Sequence, residues 1–69
     1  MKYGHKVPLK THRILGGYTQ EAFAKELGVD RATVSLWETG KHQPRGDSVA
    51  RIETLLGIKW ADDILMPEV

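Results

Sequence analysis

Apolar side chains and helix-ending residues divide the chain into five short segments. Pro8 suits a first helical turn and Gly16-Gly17 ends it, and similar signals give helices over 8–16, 20–27, 31–39, 47–56 and 60–65. No stretch of useful length alternates between apolar and polar residues, so no strand is predicted. The pattern therefore predicts an all-α domain of five short helices.

The starts of the second and third helices carry the strongest local signals. Thr19 and Asp30 are residue types that cap a helix N-terminus, and each directly precedes a helical segment. Tyr18 and Phe23 stand at the positions of a hydrophobic staple across the first of these caps, and the same pattern repeats across Asp30. These two helix starts are the most closely specified part of the chain.

The residues between these caps fit two helices that cross steeply at a short turn. Ala24 is small enough for the third helix to cross close to the second, and Gly28 can adopt the left-handed conformation that ends a helix. Val34 and Trp37 are three residues apart and face inward on the third helix. This is the pattern of a helix-turn-helix, which usually places its second helix in the major groove of DNA.

Charge is distributed unevenly along the chain. The 69 residues carry a net charge of only +1, but residues 1–45 hold eight lysines and arginines against four carboxylates, and residues 46–69 hold two against five. A basic front and an acidic back are expected if one face meets phosphates. From charge alone, an ordinary mixed-charge surface explains the distribution equally well.

Composition excludes several other classes of protein. There is no cysteine, so neither a disulfide nor a thiolate metal site is possible, and no apolar run is long enough to span a membrane. Residues 1–8 lack the apolar segment of a signal peptide, so a cytoplasmic protein is predicted. The three histidines, His5, His12 and His42, are scattered. No metal, cofactor or catalytic group is predicted, and the chain is not expected to be an enzyme.

At this point the chain resembles the Cro and cI-type phage repressors and the wider xenobiotic-response-element (XRE-like) class of helix-turn-helix regulators. The resemblance extends from about Leu9 to Leu65. The residues that carry it are Arg13, Thr19-Gln20-Glu21, Ala24, Leu27-Gly28-Val29, Thr33-Val34-Ser35, Trp37-Glu38, Gly40-Lys41, Pro44, Ile52 and Leu56-Gly57.

The resemblance implies a set of DNA contacts around the third helix. Gln20 matches a glutamine that binds a phosphate and braces the recognition helix. Arg31 is expected to read a base or, alternatively, to bind a phosphate. The expected DNA-binding residues are Gln20, Arg31, Ala32, Thr33, Ser35, Thr39, Lys41 and Arg45.

The resemblance also implies an internal ion pair between Arg13 and Glu38. The sequence departs from the family pattern at three places. His12 replaces an apolar residue, and Glu53 replaces a frequent alanine, so that the fourth helix is expected either to pack differently or to expose a charge at a dimer contact. Arg45-Gly46 replaces the usual cap of the fourth helix.

An apolar cluster near the end of the chain is too large for one small core to cover. We therefore predict a symmetric dimer, and its interface comprises Ile58, Trp60, Ile64, Leu65 and Met66. The predicted organisation is an N-terminal arm at 1–7, a DNA-binding domain at 8–66 and a C-terminal tail at 67–69.

The sequence thus predicts a sequence-specific transcriptional regulator, similar to a Cro or cI repressor, that binds double-stranded operator DNA as a homodimer. A bacterial or phage-encoded cytoplasmic protein is expected. The alternative is an antitoxin or a modulator that acts mainly on a protein partner, such as a toxin or another repressor, because a fold alone does not dictate function.

Overall fold

Five helices and one pair of very short strands make up the computed structural model, which describes residues 6–67. The predicted all-α domain is confirmed in its five helices. Residues 1–5 of the predicted arm and 68–69 of the predicted tail lie outside the described residues. In chain order the elements are β1 (Val7–Pro8), α1 (Leu9–Leu15), α2 (Gln20–Leu27), α3 (Arg31–Thr39), α4 (Gly46–Leu56), α5 (Trp60–Asp63) and β2 (Ile64–Leu65).

The α2–turn–α3 unit has the bounds that the sequence predicts. The Thr19 hydroxyl accepts a hydrogen bond from the Ala22 amide at 3.0 Å, which caps α2. Gly28 ends α2 in the left-handed conformation, with φ +72°. The rings of Tyr18 and Phe23 lie 5.8 Å apart across the cap, as expected for the staple. Asp30 precedes α3 in extended conformation but makes no side-chain capping bond.

One hydrophobic core joins the helices. Phe23, Val34 and Ile52 are completely buried where α2, α3 and α4 meet. Partly buried side chains from α4, α5 and the loops cover this core. The buried apolar residues are Leu9, Phe23, Ala24, Leu27, Val34, Trp37, Ile52 and Ile64.

The prediction that the chain contains no strand is wrong. Val7–Pro8 and Ile64–Leu65 pair in parallel, with Val7 opposite Ile64 and Pro8 opposite Leu65. Residues in this pair are extended and bond to the other strand, so they do not continue the adjoining helices. As a result α1 begins at Leu9 rather than at residue 8, and α5 ends at Asp63 rather than at residue 65.

Ile64, one of the residues expected at a dimer interface, is buried within the protomer. Ile64 is the first residue of β2, and only 4% of its surface is exposed because it packs into the protomer's own core. Strand geometry turns successive side chains to opposite faces. The next residue, Leu65, is accordingly 52% exposed.

Two carboxylates hold the junction between α4 and α5. The Glu53 carboxylate accepts a hydrogen bond from the Trp60 amide at 2.8 Å, and the Asp63 carboxylate accepts one from the Lys59 amide at 2.9 Å. The buried His12 ring joins α1 to this junction through a 2.8 Å hydrogen bond between Nε2 and the Asp63 carbonyl oxygen. Glu53 therefore caps a helix start, although we expected it to place a charge at a dimer contact. Arg45 gives α4 no side-chain cap.

Gly40 ends α3 and lies directly against Pro67. Its φ is +82°, and a Cβ added there would lie 2.9 Å from the Pro67 carbonyl oxygen and 3.0 Å from its Cγ. Gly57 ends α4 with a similar φ of +67°, but no atom lies within 4 Å of an added Cβ. The two glycines share the same backbone requirement and differ in the space beside them.

We predict that Gly40→Ala lowers the free energy of unfolding by more than Gly57→Ala does. Left-handed strain alone costs about 1–2 kcal/mol in each variant. The contact with Pro67 should add about 1 kcal/mol or more at Gly40. Urea unfolding followed by circular dichroism measures both losses. Equal losses would mean that Pro67 moves aside without cost.

Candidate nucleic-acid interface

A nearly buried ion pair links α1 to α3. Arg13 Nε donates to Glu38 Oε2 at 2.6 Å, and Arg13 Nη2 donates to Glu38 Oε1 at 3.3 Å. The two side chains are only 7% and 5% exposed. The planar guanidinium grips both carboxylate oxygens, which is the geometry that resists rotation of either partner.

Two further hydrogen bonds tie the start of α2 to this pair. Arg13 Nη1 donates to the Tyr18 carbonyl oxygen at 2.7 Å, in the loop between α1 and α2. Gln20 Nε2 donates to Glu38 Oε1 at 3.0 Å. An amide nitrogen carries two hydrogens, so one N–H of Gln20 remains for an external acceptor. The network fixes α3 relative to α1 and α2.

The first turn of α3 faces outward. Arg31 and Ala32 are exposed, whereas Thr33 and Ser35 are partly buried. Val34 and Trp37 occupy the opposite side of the same helix and are buried in the core. The helix is therefore held by its apolar side while its leading polar side chains face solvent.

Thr39 lies at the last turn of α3, and its side chain is occupied within that helix. It is exposed, and its hydroxyl donates to the Leu36 carbonyl oxygen at 3.2 Å. The hydroxyl oxygen still has lone pairs, and Lys41 stands exposed two residues further on. The two residues lie at the end of α3.

On one side of α3 the structure forms a concavity of about 590 Å³ to which three helices contribute. α1, the capped start of α2 and the first residue of α3 each supply side chains to it. Its lining comprises Lys10, Arg13, Thr19, Gln20, Glu21 and Arg31. This concavity brings together Gln20 and Arg31, which are two predicted DNA contacts, and Arg13 of the predicted ion pair.

On the other side of α3 lies a second concavity, of about 360 Å³, shared with the loop that follows. The Lys41 and His42 amides both donate to the Leu36 carbonyl oxygen, at 3.1 and 3.3 Å, which anchors the start of this loop to α3. Arg45 lines the concavity and is exposed. Positively charged side chains therefore stand on both sides of the exposed helix start.

The residues expected at a dimer interface come from the last part of the fold, where Leu65 and Met66 line a concavity together with Lys10 and Glu38. Ile58, Trp60 and Met66 are partly buried and pack on the core, and Leu65 is largely exposed. They belong to α5, to β2 and to the segments beside these elements, whereas the predicted DNA contacts lie on α2, α3 and the following loop.

Two contacts that position the site were missed from the sequence. Arg51 of α4 donates from Nη1 to the Leu27 carbonyl oxygen at 3.1 Å, and so completes the end of α2. Lys10 contributes to the concavity beside α2 although it lies on α1. Neither contact follows from local spacing. For Lys10, the only signal in the sequence is a lysine placed one turn before Arg13 on the predicted first helix.

Among residues 6–67 no three His, Asp or Glu side chains come together in a way that could hold a metal ion. Within that part of the chain, no helix has the length and apolarity needed to cross a membrane.

The fold and the exposed α3 define a small helix-turn-helix domain. A family model described as helix-turn-helix matches residues 9–62. The chain is 40% identical over 57 residues to an uncharacterized HTH-type transcriptional regulator of Methanocaldococcus jannaschii. The aligned residues cover 83% of this chain and 86% of that protein. The chain belongs to the Cro/C1-type helix-turn-helix family of DNA-binding transcription regulators, which is not an enzyme family. No solved structure matches it.

We predict that Glu38→Gln lowers the free energy of unfolding by about 3–5 kcal/mol, because it leaves the Arg13 charge nearly buried without its partner. Thermal or urea unfolding followed by circular dichroism measures the loss. Glu26→Gln is the matched control. Glu26 is exposed on α2, and its change should stay within about 0.5 kcal/mol.

Replacing both partners separates the ion pair from general damage to the core. Arg13→Met combined with Glu38→Gln should cost less than the sum of the two single changes, because no unpaired charge remains. An unchanged melting temperature for Glu38→Gln alone would show that the pair contributes nothing to stability.

Proposed function

We propose that this protein binds a nearly palindromic operator as a symmetric dimer and represses transcription by occupying it. The observation that carries the proposal is the exposed first turn of α3, which begins with Arg31 and has positively charged side chains on both sides. An α-helix fits the major groove, and its leading residues then reach the base edges.

The side chains divide into two roles in this proposal. Arg31, Ala32 and Ser35 face the base edges. Residues around them hold the sugar-phosphate backbone, since most protein–DNA hydrogen bonds go to phosphate and sugar and set the orientation of the protein. The backbone group comprises Gln20, Thr33, Thr39, Lys41 and Arg45.

The proposed dimer uses the exposed and partly buried apolar side chains around α5 and β2. Ile58, Trp60, Leu65 and Met66 form this set, without Ile64. A second copy would cover Leu65, and a 69-residue domain buries too small a fraction of its surface to be more than marginally stable alone. Two copies related by a twofold axis place their recognition helices about 34 Å apart, one turn of DNA.

Footprinting across a salt series, on the DNA upstream of the gene, tests operator binding and dimerisation together. We expect two protected patches whose centres lie about one helical turn apart. A single patch would argue for a monomer on DNA. No protection by the folded protein would favour the alternative, an antitoxin or modulator that acts on a protein partner.

Leu65→Lys should raise the protein concentration needed for protection, because it introduces a charge into the proposed interface. Sedimentation should show a corresponding shift toward monomer. Ile14→Lys is the matched control, since Ile14 on α1 is equally exposed at 55% and lies outside the proposed interface. If both variants dimerise as the wild type does, the interface lies elsewhere.

We predict that Arg31→Ala weakens binding to the preferred duplex by about 1–3 kcal/mol and weakens binding to an unrelated duplex by much less. The reason is that the guanidinium can donate to both acceptors on a guanine edge. Fluorescence anisotropy on the two duplexes measures the difference.

Arg31→Lys distinguishes base reading from phosphate binding. It keeps the positive charge and loses the paired donors of the guanidinium. Base reading predicts that Arg31→Lys also loses discrimination between the duplexes. Full retention of affinity and discrimination would identify Arg31 as a phosphate contact.

A further inference from the structure

We propose that Lys10 binds a DNA phosphate beside the start of α2, so that α1 takes part in the nucleic-acid interface. This inference rests on the proposed function, because it needs a duplex lying along α3. It assigns a role to a residue that neither the helix-turn-helix pattern nor the resemblance marks.

The first support is position. Lys10 lies on α1, yet it lines the same concavity as Thr19 and Gln20 at the start of α2 and Arg31 at the start of α3. A DNA sugar-phosphate backbone that passes the exposed first turn of α3 would also pass the mouth of this concavity. Lys10 is thus placed between this concavity and a second one, which it shares with Leu65 and Met66 of the proposed dimer interface.

The second support is the state of the charged groups there. Lys10 is exposed, and its ammonium group makes no hydrogen bond or ion pair with any other residue in 6–67. Arg13 in the same lining is already held by Glu38. Lys10 and Arg31 therefore leave the concavity positive against the single exposed carboxylate of Glu21.

The third support is the set of donors around Lys10. Gln20 retains one amide N–H after donating to Glu38. The first N–H groups of α2 have no acceptor within that helix, and only that of Ala22 is taken by the Thr19 cap. A compact ammonium group suits phosphate as a point charge and needs no particular planar partner. Lys10 would add its charge to donors that are already in place.

The test is fluorescence anisotropy on the preferred and the unrelated duplex over a salt series. Neutralising one phosphate changes the slope of log K against log salt by about 0.9. Lys10→Gln should therefore reduce the slope by about one and weaken both duplexes by the same factor at a given salt concentration. Lys10→Arg should restore the wild-type slope.

Lys25→Gln is the matched control. Lys25 is exposed on the last turn of α2 and does not line the concavity. Its replacement by Gln removes one positive charge, as Lys10→Gln does. It should leave the slope unchanged. Circular dichroism melts of all variants should match the wild type, because every replaced side chain is exposed.

Position-by-position neutralisation of the DNA sharpens the result. A duplex with a single methylphosphonate at the contacted phosphate should weaken wild-type binding and should leave Lys10→Gln binding almost unchanged. If no single position shows this coupling, or if Lys10→Gln keeps the wild-type slope, the inference is wrong while the proposed function stands. A loss confined to one sequence would identify a base contact and would also overturn it. A wild-type protein that binds neither duplex would overturn both.

Discussion

The nearly buried pair of Arg13 and Glu38 is the interaction on which the orientation of α3 depends. Removing two ions from water costs several kcal/mol each, and the mutual attraction offsets this only with good geometry and additional hydrogen bonds. Both conditions are met, through the two-pronged contact and through the Tyr18 carbonyl and Gln20 amide. Within residues 6–67 no buried side-chain nitrogen or oxygen lacks a hydrogen-bond partner.

This arrangement separates the support of α3 from its proposed DNA-binding surface. The helix contributes Val34 and Trp37 to the core and Glu38 to the ion pair, and these three hold it from one side. Arg31 and Ala32 on the first turn are exposed and do not contribute to this support. Recognition side chains on a rigid helix need little further ordering when a ligand arrives, and preorganisation of this kind favours affinity.

The sequence predicts the parts of the fold that local chemistry decides. The bounds of α2 and α3 follow from Thr19, Gly28 and Gly40, whose roles depend on neighbours a few residues away. Contacts between distant segments are not encoded in this way. The pairing of Val7 with Ile64, and the bond from Arg51 to the end of α2, join residues that local spacing does not connect. The burial of Ile64 follows from the strand that local spacing does not predict.

The candidate site was predictable to a similar degree. The helix-turn-helix spacing and the resemblance predict where Gln20 and Arg31 lie on their helices, because the position of a side chain on a short helix follows from its number. Their role as DNA contacts stays a prediction. His12 illustrates the limit. A histidine at an apolar position is unexpected, and its bond to the Asp63 carbonyl becomes apparent only when α1 and α5 are seen together.

The register between β1 and β2 fixes the number of residues that the segment at the end of the described chain can have. Ile64 is buried and Leu65 is exposed, so a slip of one residue would exchange the two faces and expose an apolar side chain. From this fixed point only Leu65 and Met66 separate Ile64 from Pro67, which rests on Gly40 at the end of α3. An inserted or deleted residue in this segment must therefore either expose Ile64 or move Pro67 away from the end of α3.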